Sequence, residues 1–191
     1  LNTLLSFLEN HPETGIVGSS VILIDKDGEY LKKLYRPTSY LGIKWASLFS
    51  TPLVHPTVMA RSQILKDNPY DETLSNSEDY ELWSRLIFDK GVIFANIKEP
   101  LIYYRVFQES FTQTLNIEKR ATSAQNTINN LERYIGLTGQ EKEMLIELRE
   151  DLPLSSSQLL AIWNMYKRAA SSFVERENIG FPKNLTIYSR L

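Results

Sequence analysis

The chain has 191 residues, 42% of them hydrophobic and 11% aromatic, enough apolar surface to offset the entropy of ordering a sizeable domain. Its formal net charge is -2, so no basic excess exists to drive phosphate-backbone binding, and a nucleic-acid partner is disfavoured. It has no cysteine and two histidines, His11 and His55. That excludes disulfides, thiolate chemistry and a histidine-rich metal site within these residues, and is compatible with a reducing cytoplasm.

The opening run LNTLLSFLEN sets Leu1, Leu4, Leu5 and Leu8 at helical spacing. A helix therefore runs to about Asn10 and stops at His11-Pro12, because the residue before proline is pushed out of helical geometry. A chain that starts with Leu in mid-helix reads as a piece of a longer protein. Gly15 to Asp25, GIVGSSVILID, is rich in β-branched residues and reads as a buried strand. Asp27-Gly28 then turns the chain back in a hairpin.

Tyr40 to Phe49 carries Leu41, Trp45, Leu48 and Phe49 at helical spacing. HPTVMAR, His55 to Arg61, reads as a short extended piece, and SQILKDN as one or two helical turns. The spacing predicts a helix from Ser77 to Lys90 ending at Gly91. Val92 to Ile97 and Pro100 to Phe107 read as two strands. Helical periodicity then returns in Asn116–Tyr134, Gly139–Glu150 and Ser155–Glu177, the last with Leu159, Ile162, Trp163, Tyr166 and Ala170 as its apolar stripe. Thr138 with Glu141, and Ser155 with Gln158, fit capping boxes. Strands mix with helices up to about Ser110 and helices follow, so the chain reads as an α/β part plus a helical C-terminal part. No apolar run approaches the roughly 18 residues of a membrane span.

The residues with chemical promise centre on LSNSEDYELWSRL, Leu74 to Leu86. Ser75 and Glu78 fit a capping box, and acids in a first helical turn favour the positive end of the helix dipole. The same stretch also suits catalysis. Residues at i, i+4 and i+7 share a helical face, so Asp79 aligns with Trp83 and Leu86 at the head of the apolar stripe. Glu81 aligns with Arg85 as an ordinary ion pair, and Glu78 lies between the faces. A carboxylate at the tip of a buried stripe, kept ionised by the helix end, is what a general base requires. Cap and base both remain open on spacing alone. Asp25 and Asp27 have the composition of a cation site, but they lead straight into Gly28 and are better read as turn residues. His55 and the Tyr103-Tyr104-Arg105 run are polar candidates whose ordinary reading is structural.

Taken in order, HPETGIVGSSVILIDKDGEYL, PLVHPTVMARSQIL, YDETLSNSEDYELWSRL and VIFANIKEPLIYYRVFQES resemble the second half of the catalytic domain of family 2 glycosyltransferases. These are the inverting enzymes of the GT-A fold, here most like the bacterial branch that builds capsular and surface polysaccharides. The resemblance covers about Leu1 to Ser110. It implies an α/β fold, a truncated GT-A mixed sheet with helices over residues 1–110, followed by an all-α extension over 111–191 that has no such resemblance.

In that family a nucleotide-sugar binds to a Rossmann-like first half, whose Asp-x-Asp holds Mg2+ or Mn2+, and a glycan or lipid-linked acceptor binds mainly to the second half. The resemblance makes Asp79 the general base for the acceptor hydroxyl, with Glu78 supporting it, and places His55, Arg61, Tyr104 and Arg105 at the substrate. It also places the family's Asp-x-Asp before Leu1, so the metal is expected in a longer protein and not here, and these residues alone are expected to transfer no sugar. The family's YR-x-H ends here as Tyr104-Arg105-Val106-Phe107, which removes a residue that can approach the metal.

The alternative is a non-catalytic, transferase-like module that binds a glycan or a protein, and an unrelated α/β domain with Glu78 as a plain cap is a third reading. An Asp-x-Asp upstream of Leu1 discriminates the first two. The family implies a cytoplasmic setting, at or near the inner face of the membrane. The helical tail could serve peripheral membrane association, homo-oligomer formation or the shaping of the acceptor cleft. Its mixed charges (Glu118, Lys119, Arg120, Glu132, Arg133) favour protein contacts over a basic membrane face.

Overall fold

Strand β1, Thr14–Ile24, organises the molecule because its first eight residues are buried on both faces. The computed structural model describes residues 1–74, 76–107, 116–149 and 153–180. Helix α1 (Asn2–Asn10) precedes β1, and β2 (Tyr30–Leu34) returns antiparallel to it. Gly28 makes the turn with φ of 95°, a conformation that side chains disfavour. The carboxylate of Asp25 accepts from the Asp27 and Glu29 backbone amides at 2.9 and 2.8 Å. Those bonds hold the Asp25 carboxyl below its ordinary value, so Asp25 and Asp27 are the hairpin that the sequence implied.

Helix α2 (Tyr40–Ala46) and a 3-10 turn (His55–Thr57) lead into β3 (Met59–Ala60), which pairs antiparallel with β1. The expected extended piece from His55 is therefore a turn first and a two-residue strand second. Pro56 at the start of that turn has no amide to leave unsatisfied. Helices α3 (Ser62–Asp67) and α4 (Glu78–Phe88) follow. Gly91, with φ of 64°, releases the chain into β4 (Ile93–Arg105), which runs parallel to β1.

The two strands expected over residues 92–107 are a single strand. Ser19 faces Ile97 and Ser20 faces Pro100, so Lys98 and Glu99 form a bulge. Proline lacks the amide that an unbroken ladder would use, and a bulge accommodates it. The sheet is mixed, in the order β2-β1-β3 with β4 on the other side of β1.

Alternation along the central strands sends side chains to two faces. Val17 and Ala95 pack with Leu4 and Leu8 of α1 on one side. Ile16 and Phe94 pack with Ile43, Leu53, Leu82, Trp83, Leu86 and Ile87 on the other. Leu1 and Leu5, counted in the apolar stripe of α1, are exposed.

Three helices follow: α5 (Asn116–Glu132), α6 (Gly139–Arg149) and α7 (Ser156–Arg176). Both expected capping boxes form. Glu141 N donates to Thr138 Oγ1 and Thr138 N to Glu141 Oε2, and Ser155 and Gln158 cap α7 reciprocally. These helices build a third cluster, in which Ile128, Leu131, Tyr134, Leu145, Met165, Ala169 and Phe173 surround Leu48, with Trp45 and Phe49 packed against it. The buried stripe of α7 is thus Met165, Tyr166, Ala169, Ala170, Phe173 and Val174, whereas Leu159 and Trp163 are exposed. Residue 110, the expected end of the α/β part, lies outside the described residues.

A polar seam also joins the layers. Glu177 accepts from Lys44 of α2 at 2.8 Å and from the Tyr134 hydroxyl at 2.7 Å. Partial burial raises the Glu177 pKa, but those two donors outweigh it and the net shift is downward from 4.5. Burial, followed by the Glu177 carboxylate, pushes Tyr134 upward, so it stays a hydroxyl donor. A carboxyl with a depressed folded pKa contributes stability above its unfolded value and loses it as pH falls through the folded value. In urea melts taken from about pH 6 to about pH 3, the wild-type midpoint should therefore fall more steeply below about pH 4.5 than that of Glu177→Gln. Parallel slopes would show that the seam does not couple to protonation.

Candidate functional site

The acid pair opens α4. Glu78 is the first helical residue and Asp79 the second. The helix starts with Ser77, not Ser75, in the N-cap position. Ser77 is buried and sits in the left-handed region at φ of 57° with no side-chain cap bond. Ser75, the capping residue the pattern called for, lies outside the described residues. A non-glycine residue held at positive φ marks a site where surrounding structure overrides local preference. Here it swings the chain so that three acids, Glu78, Asp79 and Glu81, crowd the first turn.

The three acids have different surroundings. Glu81 is held by Arg85 in a two-point contact, Nε to Oε1 at 2.8 Å and Nη2 to Oε2 at 3.1 Å. Glu78 is exposed. Asp79 is half-buried, and its Oδ1 accepts the Tyr80 amide at 2.8 Å. Behind it Trp83 and Leu86 are fully buried, so Asp79 stands at the rim of the core. It lines a cleft of about 310 Å3 with Ser50, Thr51, Ser77, Tyr80, Arg120, Ser123 and Arg149.

His55 reaches this corner through a residue that the motif search passed over. Its Nε2 lies 3.0 Å from the Tyr70 hydroxyl, and its ring centroid lies 6.2 Å from that of Trp83. Burial raises the Tyr70 pKa, and the charges of Asp79 and Glu78 raise it further, so Tyr70 keeps its proton and lies within their field. Tyr70 follows Pro69 in a loop, and no periodicity marks it. Its place is set by the fold alone.

The remaining candidates lie elsewhere. Arg61, expected at the substrate, donates to the carbonyls of Thr14 at 2.9 Å, Leu8 at 2.7 Å and His11 at 3.3 Å. Two of those belong to the C-terminal end of α1, where carbonyls lack helical partners, so Arg61 braces α1 against β1. Arg105 Nη1 donates to the Asp25 and Lys26 carbonyls at 3.0 and 2.7 Å, which holds the hairpin to the end of β4. Tyr103 and Tyr104 are exposed on the same strand end, Tyr103 at 71%. They belong neither to a core nor to the Asp79 cleft. Phe107 is likewise exposed.

The back wall of the cleft is a buried polar network. Tyr80 donates from its hydroxyl to Ser47 O at 2.9 Å, and Asn130 Nδ2 donates to Ser47 O and to Ser84 Oγ, each at 2.8 Å. Ser84 Oγ donates to Tyr80 O at 2.7 Å. Arg149 donates to the Phe49 carbonyl and, at 3.1 Å, to Thr127 Oγ1. Buried polar groups satisfied in this way fix one arrangement of the elements that carry them. Helices α2, α4, α5 and α6 are therefore locked around Asp79.

No family model matches the chain. Three curated proteins do resemble it. An uncharacterized glycosyltransferase of Methanocaldococcus jannaschii is 35% identical over 102 residues, 52% of this chain and 34% of that protein. The O-antigen biosynthesis glycosyltransferase WbnJ of Escherichia coli is 34% identical over 97 residues, 50% of this chain and 37% of its own length. The amylovoran biosynthesis glycosyltransferase AmsE of Erwinia amylovora is 34% identical over 103 residues, 53% and 37% respectively. The similarity is to glycosyltransferases. It covers about half of this chain and little more than a third of each relative, and the α/β architecture with its mixed sheet is compatible with a domain of that kind.

Among the described residues no group of three or more His, Asp or Glu side chains converges as metal ligands. Among the described residues no helix is long and apolar enough to cross a membrane.

Proposed function

We propose that this chain is the acceptor-side part of an inverting, family 2 glycosyltransferase of the GT-A type that acts in cell-surface polysaccharide assembly. The observation that carries the reading is Asp79. It is half-buried at the start of α4 and lines a polar cleft, while its neighbour Glu81 is tied to Arg85. Names shared by the relatives, all glycosyltransferases and two of them tied to O-antigen or amylovoran biosynthesis, support the reaction class.

In this reading a glycan or lipid-linked acceptor enters the cleft and Asp79 accepts the proton of its hydroxyl. The oxygen then attacks the anomeric carbon of a nucleotide-sugar in line, the bond from that carbon to the diphosphate oxygen breaks, the nucleoside diphosphate leaves, and configuration inverts. The charged form of Asp79 is the reactive one. Glu78 orients the acceptor, and His55 with Tyr70 forms the polar wall beside the acid pair. The reading assigns Arg61 and Arg105 to bracing rather than to substrate.

The test is transfer by the complete protein that contains this segment. Incubation with a panel of UDP- and GDP-sugars and membrane extract should yield glycoside of inverted anomeric configuration. A full-length protein that yields only retained configuration, or no product with any donor, would overturn the reading.

A further inference from the structure

The cleft at Asp79 has an electrostatic character that its reaction class does not require. Part of its lining comes from outside the α/β part: Arg120 and Ser123 belong to α5 and Arg149 to α6, and they line the cleft together with Ser50, Thr51 and Asp79. Two guanidinium groups and five hydroxyls surround one carboxylate there. The lining side chains therefore carry a net positive charge in a chain whose formal charge is -2.

Arginine presents its donors as a planar fork that matches carboxylate or phosphate oxygens, and it is more weakly hydrated than lysine. Arg149 is anchored from behind by the Phe49 carbonyl and Thr127. Its guanidinium is thus pre-positioned, which reduces the ordering cost of binding. The five hydroxyls can donate or accept and the carboxylate accepts, as a neutral sugar requires; the two guanidinium groups, which only donate, add a preference for an anion. The volume, about 310 Å3, lies at the small end of ligand clefts.

We propose that α5 and α6 turn the Asp79 cleft into a subsite for an anionic acceptor: a saccharide bearing a carboxylate or a phosphate, held by Arg120 and Arg149 with the reacting hydroxyl toward Asp79. The inference rests on the acceptor-side reading above for the role of Asp79, but not for the binding itself. It assigns a function to the helical extension, which selects acceptors by charge.

The test is a titration of the 191-residue chain, followed by NMR or calorimetry, with methyl galactoside, galacturonate, galactose 1-phosphate and UDP as probes. Galacturonate or galactose 1-phosphate should bind at least tenfold more tightly than the neutral methyl galactoside, and whichever of the two binds more tightly identifies the anion. Arg120→Gln should weaken that probe about tenfold, as should Arg149→Gln, with the folded state checked by the amide spectrum. Arg149→Lys keeps the charge, and it should lose less than Arg149→Gln.

Asp79→Asn should tighten the same probe severalfold, because a like charge leaves the cleft. That result separates the two readings. Anion binding that responds to all three sites supports the subsite even where the full-length protein transfers nothing. Four results overturn the subsite even where transfer is active: equal affinity for neutral and anionic sugars, no detectable anion binding, indifference to Arg120→Gln, or preference for UDP over both sugar anions.

Discussion

Full-length protein carrying Asp79→Asn is expected to transfer sugar about a thousandfold more slowly than wild type, with donor affinity changed less than about twofold. A positioned general base contributes roughly 100- to 10,000-fold. The amide keeps the shape of the carboxylate and can still accept the Tyr80 amide that Asp79 Oδ1 accepts at 2.8 Å, so the helix start should survive. What it cannot do is take a proton.

The neighbouring acids provide the contrast. Glu81→Gln should change the rate less than about threefold, because both Glu81 oxygens are already occupied by Arg85 and Glu81 does not line the Asp79 cleft. Glu78→Gln should fall between the two, since Glu78 is exposed and adjacent without lining the cleft. The check is steady-state transfer together with donor binding for all three variants. Asp79→Asn retaining more than about a tenth of the activity, or Glu81→Gln losing as much as Asp79→Asn, would remove the base from Asp79.

The largest expected effect on stability is at Trp83. Its side chain is 1% exposed, packs edge-to-face on Phe94 at 5.8 Å between ring centroids, and meets Ile16, Leu53 and Leu86 in one cluster. Truncation to alanine removes that contact area and leaves a cavity that a core bounded by β1 and β4 cannot close. The expected loss is about 3–5 kcal/mol, the range for large-to-small core changes of aromatic residues. Trp163→Ala is the matched control. That tryptophan is 48% exposed, so its removal should cost less than about 1 kcal/mol. Urea denaturation of the two variants decides the matter. Equal losses would mean that α7 is packed on its other face. Trp83→Ala should also weaken any activity assigned to Asp79, because Trp83 lies one turn further along α4 and seats the helix on the sheet.

The pairing of two tryptophans with opposite fates shows where sequence reading ends. Both sit in helical apolar stripes with similar spacing. In α4 Trp83 and Leu86 of the stripe read from spacing are buried, with Asp79 half-buried at its head, and Tyr80, Leu82 and Ile87 are buried beside them. In α7 the buried set is offset toward Met165, Ala169 and Phe173. The long helix offers two overlapping apolar stripes, and only the partners, Leu48 and Trp45 from α2 with Leu131 and Tyr134 from α5 and its end, select one.

The hairpin at Asp27-Gly28, the capping boxes at Thr138 and Ser155 and the Glu81–Arg85 pair were legible because each depends on residues within four positions of one another. The start of α4 was not, although it too is local in sequence. Ser77 adopts a left-handed conformation against its own preference, which only a surrounding structure can impose. The same limit applies to the bulge at Lys98 and Glu99, since a strand interrupted by proline and two separate strands share one sequence pattern.

By itself the sequence determined the α/β character of the first part, the helical character of the second, and the singling out of Asp79 among three acids, since helical phase needs only a 3.6-residue period. Tertiary structure decided the rest. It brought Tyr70 to His55 across 15 positions in the chain, and Arg120 and Arg149 to Asp79 from helices whose role the sequence left open among membrane, subunit and cleft contacts. It also committed Arg61 and Arg105 to backbone carbonyls. Long-range contacts of this kind depend on how whole faces pack, and no short stretch of residues encodes the identity of a partner that lies many elements away.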